Sequence, residues 1–148
     1  MEKIEIIYWT ATGCTEMMAK ALSRGIENKE VKANLNFVTE ANLEDLVTAD
    51  LIALGCPAQG TEELDETEFE PFFEKALPYI KDKKVFIFGS YGWGLGEYQA
   101  VWKKRLEAAG ATVVLEPLAV FEIPTQKDMN EIYQQGERLA QLVKETKL

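Results

Sequence analysis

Three short apolar runs, each emptying into a loop of glycines and hydroxyls, constrain this chain more than any other feature. They span residues 3–9, 50–56 and 84–89. Runs this short and this continuous suit buried strands of a parallel sheet covered on both faces. Residues 31–38 alternate instead, as an exposed edge strand would. Residues 113–115, with 119–121 beyond Pro117, read as an irregular fifth strand.

Helical spacing fills the gaps. Met17, Met18, Ala21, Leu22 and Ile26 mark a first helix, which Gly25 interrupts, leaving its end less sharply defined. A short helix follows Asn42. Phe69, Phe72, Phe73, Ala76 and Leu77 mark a third, and Val101, Trp102, Leu106 and Ala109 a fourth that closes at Gly110. The last starts at a Thr125 cap with Asp128 in the capping-box position and runs through Ile132, Leu139 and Val143. Five strand–helix alternations predict an α/β domain, and no linker or repeat suggests a second one within residues 1–148.

The chain carries 16 Lys+Arg against 25 Asp+Glu, a formal charge of -9. Without a basic stripe to displace counterions, nucleic acid is excluded as a partner, and a basic protein surface is favoured. Cys14 and Cys56 have no metal-motif spacing and there is no histidine. No run of apolar residues is long enough to span a membrane and no targeting leader opens the chain, so a soluble cytoplasmic protein is expected.

In open parallel sheets, ligands collect beyond the carboxyl ends of the strands. The loop Thr10-Ala11-Thr12-Gly13-Cys14-Thr15 offers backbone N–H groups at a helix start, the positive end of a helix dipole and three hydroxyls. That suits a phosphate; an ordinary threonine-capped turn is the alternative. A nucleoside triphosphate loop would need a GK[ST] lysine, and a thiol phosphatase would need an arginine near Cys14. Neither is present. A second loop runs from Gly55 to Glu66. The third, Gly89-Ser90-Tyr91-Gly92-Trp93-Gly94-Leu95-Gly96, is either a loose tip or an aromatic wall for a planar ligand. A phosphate loop, an aromatic loop and a glycine turn between them suggest flavin mononucleotide (FMN).

These three segments in this order resemble those of short-chain bacterial flavodoxins, and the resemblance covers essentially the whole chain. It implies a three-layer α/β sandwich with a five-stranded parallel sheet in the order 2-1-3-4-5, with FMN at the switch between the first and third strands, as flavodoxins have it. It implies that Thr10, Ala11, Thr12, Gly13, Cys14 and Thr15 wrap the phosphate. Pro57, Ala58, Gln59, Gly60, Thr61 and Glu62 would line one side of the ring, and Ser90, Tyr91, Gly92, Trp93, Gly94, Leu95 and Gly96 the other. Gly60 falls on the glycine whose peptide turns over to accept from the protonated N5 of the semiquinone. Acidic residues 62, 63, 65, 66, 68 and 70 would form a rim for docking redox proteins. The function implied is that of a monomeric carrier cycling FMN mainly between semiquinone and hydroquinone at low potential. The rival is a small FMN-dependent NAD(P)H or quinone-type reductase.

Three positions depart from the family pattern. Cys14 stands where asparagine is usual, Gln59 where methionine is common, and Leu95 where aspartate is frequent. The first implies rearranged phosphate contacts. The last removes a negative charge near the ring and should raise the hydroquinone couple slightly.

Overall fold

The computed structural model describes residues 2–58, 64–92 and 96–146. Its sheet is built around β1 (Lys3–Tyr8), which pairs in parallel with β2 (Lys32–Phe37) on one side and β3 (Leu51–Gly55) on the other. β3 in turn pairs with β4 (Lys84–Tyr91). The fifth position is shared by two pieces, β5 (Thr112–Val113) and β6 (Leu118–Phe121), both parallel to β4. The order is therefore 2-1-3-4-5, with the fifth strand broken between its halves. Leu115 at φ 59° and Pro117 lie in the break, which accounts for the irregularity read from the sequence.

Alternation along the strands sorts the core into two layers. Ile4, Ile6, Tyr8, Leu51, Ala53, Phe86 and Phe88 face α1 (Cys14–Asn28) and α5 (Gln126–Thr146), meeting Met18, Leu22, Ile26, Ile132 and Leu139. Ile7, Ile52, Leu54, Val85 and Ile87 face α2 (Leu43–Thr48), α3 (Phe69–Ile80) and α4 (Glu97–Ala108). There Trp102 receives Phe69 edge-on, with ring centroids 5.5 Å apart, and stacks with Tyr98. Both faces of the central strands are covered, as their unbroken apolar character demands. Glu5 is the exception in β1. It is buried, and opposite Asn34 it accepts two hydrogen bonds from that amide and pairs with Lys3 at 3.2 Å.

Helix ends follow local chemistry. Asn42 accepts from the Glu44 N–H to cap α2. Thr125 and Asp128 exchange hydrogen bonds in a capping box, the Thr125 N–H donating to the carboxylate and the Asp128 N–H to the hydroxyl. Gly25 does not end α1, which continues through Ile26 as the spacing predicts. The helix runs through it because Gly25 lies at the crossing with α5, where a Cβ would come 2.0 Å from the Tyr133 carbonyl oxygen. Gly136 answers it from α5, with a Cβ there 2.3 Å from the Leu22 oxygen. The crossing of two backbones sets this glycine, and the helix tolerates it.

Candidate functional site

Beyond the carboxyl ends of β1, β3 and β4, the described parts of the three loops come together around a cleft of about 470 Å³. Thr10, Ala11, Thr12, Cys14, Thr15, Pro57, Ala58, Ser90, Tyr91 and Gly92 line it, together with Glu122 and Ile123. A cleft of this size suits a small organic ligand. Among the described lining residues there is no lysine or arginine, and Glu122 is the one charged group. Gln59, Gly60, Thr61, Glu62, Trp93, Gly94 and Leu95 lie outside the described residues.

The cleft is held by short links between loops. β3 continues its pairing past Gly55, since the Cys56 N–H donates to the Phe88 carbonyl and the Ala58 N–H to the Ser90 carbonyl at 3.0 Å. The buried hydroxyls of Thr15 and Ser90 are 3.4 Å apart, tying the first turn of α1 to the end of β4. The Tyr98 hydroxyl donates to the Cys56 carbonyl at 2.9 Å, and Gln99 donates to the Leu118 carbonyl at 2.8 Å. The start of α4 thus fixes both Pro57 and the approach to β6. Burial drives the Tyr98 hydroxyl and the Cys56 thiol well above their ordinary ranges, so both stay protonated. The two cysteines are free thiols.

The start of α1 is open. Gly13 occupies the N-cap position at φ 100°, a conformation favouring glycine, and no side chain caps the helix. Thr10 accepts the Gly13 N–H at 2.9 Å and so closes the loop on itself. The first intrahelical bond runs from Met17 to the Gly13 carbonyl, leaving the N–H groups of residues 14–16 directed out of the helix end. Thr10 thus caps the turn that leads into the helix, while the helix start itself carries no side-chain cap. Thr12 donates to the Cys14 sulfur at 3.6 Å, a local contact in which the thiol serves as acceptor.

Two lining residues escaped the sequence reading. Glu122 adopts φ 55° and donates its N–H to the Tyr91 carbonyl at 2.7 Å, folding the end of β6 toward the third loop. Ile123 follows it, 70% exposed. Beside them Tyr91 packs against Phe121, centroids 5.4 Å apart. The signal available was two apolar residues, Phe121 and Ile123, flanking Glu122 at the end of the last strand, with no glycine or hydroxyl to draw notice.

The acidic segment before α3 is more structural than its composition implies. Asp65 is buried, and its carboxylate accepts from the Glu68 and Phe69 N–H groups at 2.7 and 2.9 Å and from the Thr67 hydroxyl. Burial alone would raise its pKa, but these hydrogen bonds outweigh it and hold Asp65 below the usual carboxylate range. Glu70 forms a two-pronged pair with Arg105, and Glu68 accepts from the Trp9 indole at 3.0 Å. Of the expected rim, Glu62 and Glu63 lie outside the described residues, Asp65 turns inward as a cap and Glu70 is neutralised; Glu66 and Glu68 remain on the surface.

A chain with this strand order and this cleft matches the Flavodoxin family model over residues 6–136. The chain belongs to the flavodoxin family. It is 44% identical over 111 residues to the flavodoxin of Megasphaera elsdenii, covering 75% of this chain and 81% of that one. It is 38% identical over 139 residues to the flavodoxin of Clostridium beijerinckii, covering 94% and 100%. The solution structure of two-electron reduced Megasphaera elsdenii flavodoxin superposes with a TM-score of 0.80 at 39% identity, covering 91% of this chain and 98% of that chain. Flavodoxins bind FMN and carry electrons at low potential without turning over a substrate of their own, and this one is such a carrier. The site agrees with that cofactor on its own terms. An uncapped helix start suits a phosphate, and among the described residues beyond its chain neighbours nothing comes within 4 Å of a Cβ built on Gly92, which lines the cleft. No helix among the described residues is long and apolar enough to cross a membrane.

Proposed function

We propose that the residues around this cleft divide the work of an FMN electron shuttle as follows. Thr10, Thr12 and Thr15 offer hydroxyls to the phosphate, and the N–H groups of residues 14–16 offer the rest, so that its charge is held by dipoles and not by a cation. Thr10 and Gly13 keep the loop in shape before the cofactor arrives, which lowers the ordering cost of binding. Pro57 and Ala58 take one side of the ring and Tyr91 and Gly92 the other. Gln59, Gly60, Thr61, Glu62, Trp93, Gly94 and Leu95 complete the pocket by the family pattern. When bound, FMN supplies the one-electron chemistry. The protein's part is electrostatic: with Glu122 at the cleft and a net charge of -9, it disfavours added negative charge on the ring and holds the potential down.

The observation that carries this reading is the open start of α1, joined through Thr15 and Ser90 to the loop that ends β4. Basic redox proteins would dock near the exposed ring edge beside Glu66, Glu68 and Glu122. A carrier that meets two partners in turn works as a monomer in the cytoplasm. The test is anaerobic redox titration of the FMN-loaded protein with spectral detection. Two resolved one-electron steps, the second well below free FMN, are expected. A single two-electron step with steady NAD(P)H consumption would overturn the carrier reading in favour of a small reductase. Equal affinity for FMN and for riboflavin, which lacks the phosphate, would overturn the assignment of residues 10–15.

A further inference from the structure

An open helix start in this chain has an internal competitor. Glu16 is the third residue of α1, and a carboxylate at that position ordinarily reaches back to the N-cap N–H as half of a capping box. It also carries the charge that the helix dipole attracts. Left to itself, a Glu16 carboxylate folded back over the helix start would place a negative charge where a phosphate needs the positive end of the dipole.

Three contacts turn it away. The Tyr8 hydroxyl donates to Glu16 Oε2 at 2.8 Å. Lys20 Nζ lies 3.6 Å from Oε1 on the outer face of the helix. Thr10 already accepts the Gly13 N–H, the donor a capping box would use. Cys14 and Thr15 line the cleft and Glu16 does not. Tyr8 is well placed for this task. It ends β1, is 6% exposed, and is pinned by the edge of Phe37 with centroids 5.6 Å apart. Burial and the neighbouring Glu16 push its pKa up to about 12, so it remains a donor at neutral pH. The Lys20 contact is half exposed, and such pairs hold a side chain only weakly.

We propose that Tyr8 is a positioning residue for cofactor binding: its hydroxyl holds the Glu16 carboxylate off the start of α1 and so keeps that end of the helix free for the FMN phosphate. This rests on the placement of the phosphate at residues 10–15.

The experiment titrates apoprotein with FMN and with riboflavin, following flavin fluorescence. Wild type should prefer FMN; if it does not, the phosphate placement itself fails, before any variant is considered. Tyr8→Phe removes one oxygen and keeps the ring against Phe37. It should weaken FMN about tenfold and leave riboflavin unchanged, the size expected when a helix-end charge must be displaced. Adding Glu16→Gln to Tyr8→Phe should restore FMN binding to within about twofold of wild type. Glu16→Ala alone, which removes the competitor from an otherwise intact protein, should bind FMN at least as tightly as wild type. The proposal is overturned if Tyr8→Phe leaves FMN affinity unchanged or weakens FMN and riboflavin equally. It is overturned too if the double variant stays as weak as Tyr8→Phe, or if Glu16→Ala loses FMN affinity.

Discussion

Replacing Gly25 by alanine sets two effects of known sign against each other. In an exposed helix interior the change would stabilise by about 1 kcal/mol, because glycine gives up more backbone freedom on folding than alanine does. At this crossing the added methyl would sit 2.0 Å from the Tyr133 oxygen and 3.2 Å from the Glu137 nitrogen, both backbone atoms of α5. Neither can rotate aside as a side chain would. The helices must part by more than an ångström to reach ordinary contact, and Leu22, Ile26, Ile132 and Leu139 lose packing when they do. Overpacking of this kind costs ~1–3 kcal/mol, and the rigid backbone on both sides places it at the upper end. After the propensity gain, a net loss of about 2 kcal/mol remains. Urea unfolding of the apoprotein, followed by far-ultraviolet circular dichroism, keeps cofactor linkage out of the measurement. The midpoint should fall by about 1 M with an unchanged slope. A midpoint equal to or above that of wild type would refute the argument, for it would mean that α1 and α5 do not meet backbone to backbone at this point.

Tyr98→Phe should leave the buried Cys56 carbonyl without its donor; a loss of about 1–2 kcal/mol in urea unfolding is expected, together with weaker FMN binding because Pro57 and Ala58 follow directly. Unaltered FMN affinity would show that the contact supports the fold alone. Asp65→Ala should cost about 1–2 kcal/mol at neutral pH by removing the cap of α3. Because the folded protein holds Asp65 below its ordinary pKa, the stability it contributes is present above about pH 4 and is lost as pH falls further. The variant should therefore show a shallower acid loss than wild type, measured as urea midpoints between neutral pH and about pH 3.

The strands and most helices were legible because apolar runs and loop chemistry are local signals, whereas the strand order 2-1-3-4-5 followed from the family resemblance and not from periodicity. Where the reading went astray, the deciding partner was distant in sequence or the local pattern admitted two meanings. Gly25 blurred the end of α1 in the sequence, and its reason shows only once Gly136 is placed opposite it. Asp65 looked like one acid among many, yet its spacing from Thr67, Glu68 and Phe69 is that of a cap, and the pattern was available in the sequence. Glu122 and Ile123 were missed for the opposite reason: their place in the cleft comes from a left-handed backbone turn and a hydrogen bond to Tyr91, which no residue type there announces. The absence of a basic residue from the phosphate loop was informative as it stood. In the proposed assignment an uncapped helix end does the work of a cation, and glycine at its N-cap is the feature that fits it.

The broken fifth strand bears on how the protein keeps from aggregating. A sheet edge with unpaired N–H and C=O groups invites another chain to add a strand, and this edge is divided into pieces of two and four residues. Between them Leu115 turns into the left-handed region, and Pro117 contributes no N–H. An incoming strand would find no continuous ladder to follow. The irregularity that made this strand hard to read in the sequence is thus also what leaves the edge of the sheet a poor template for self-association.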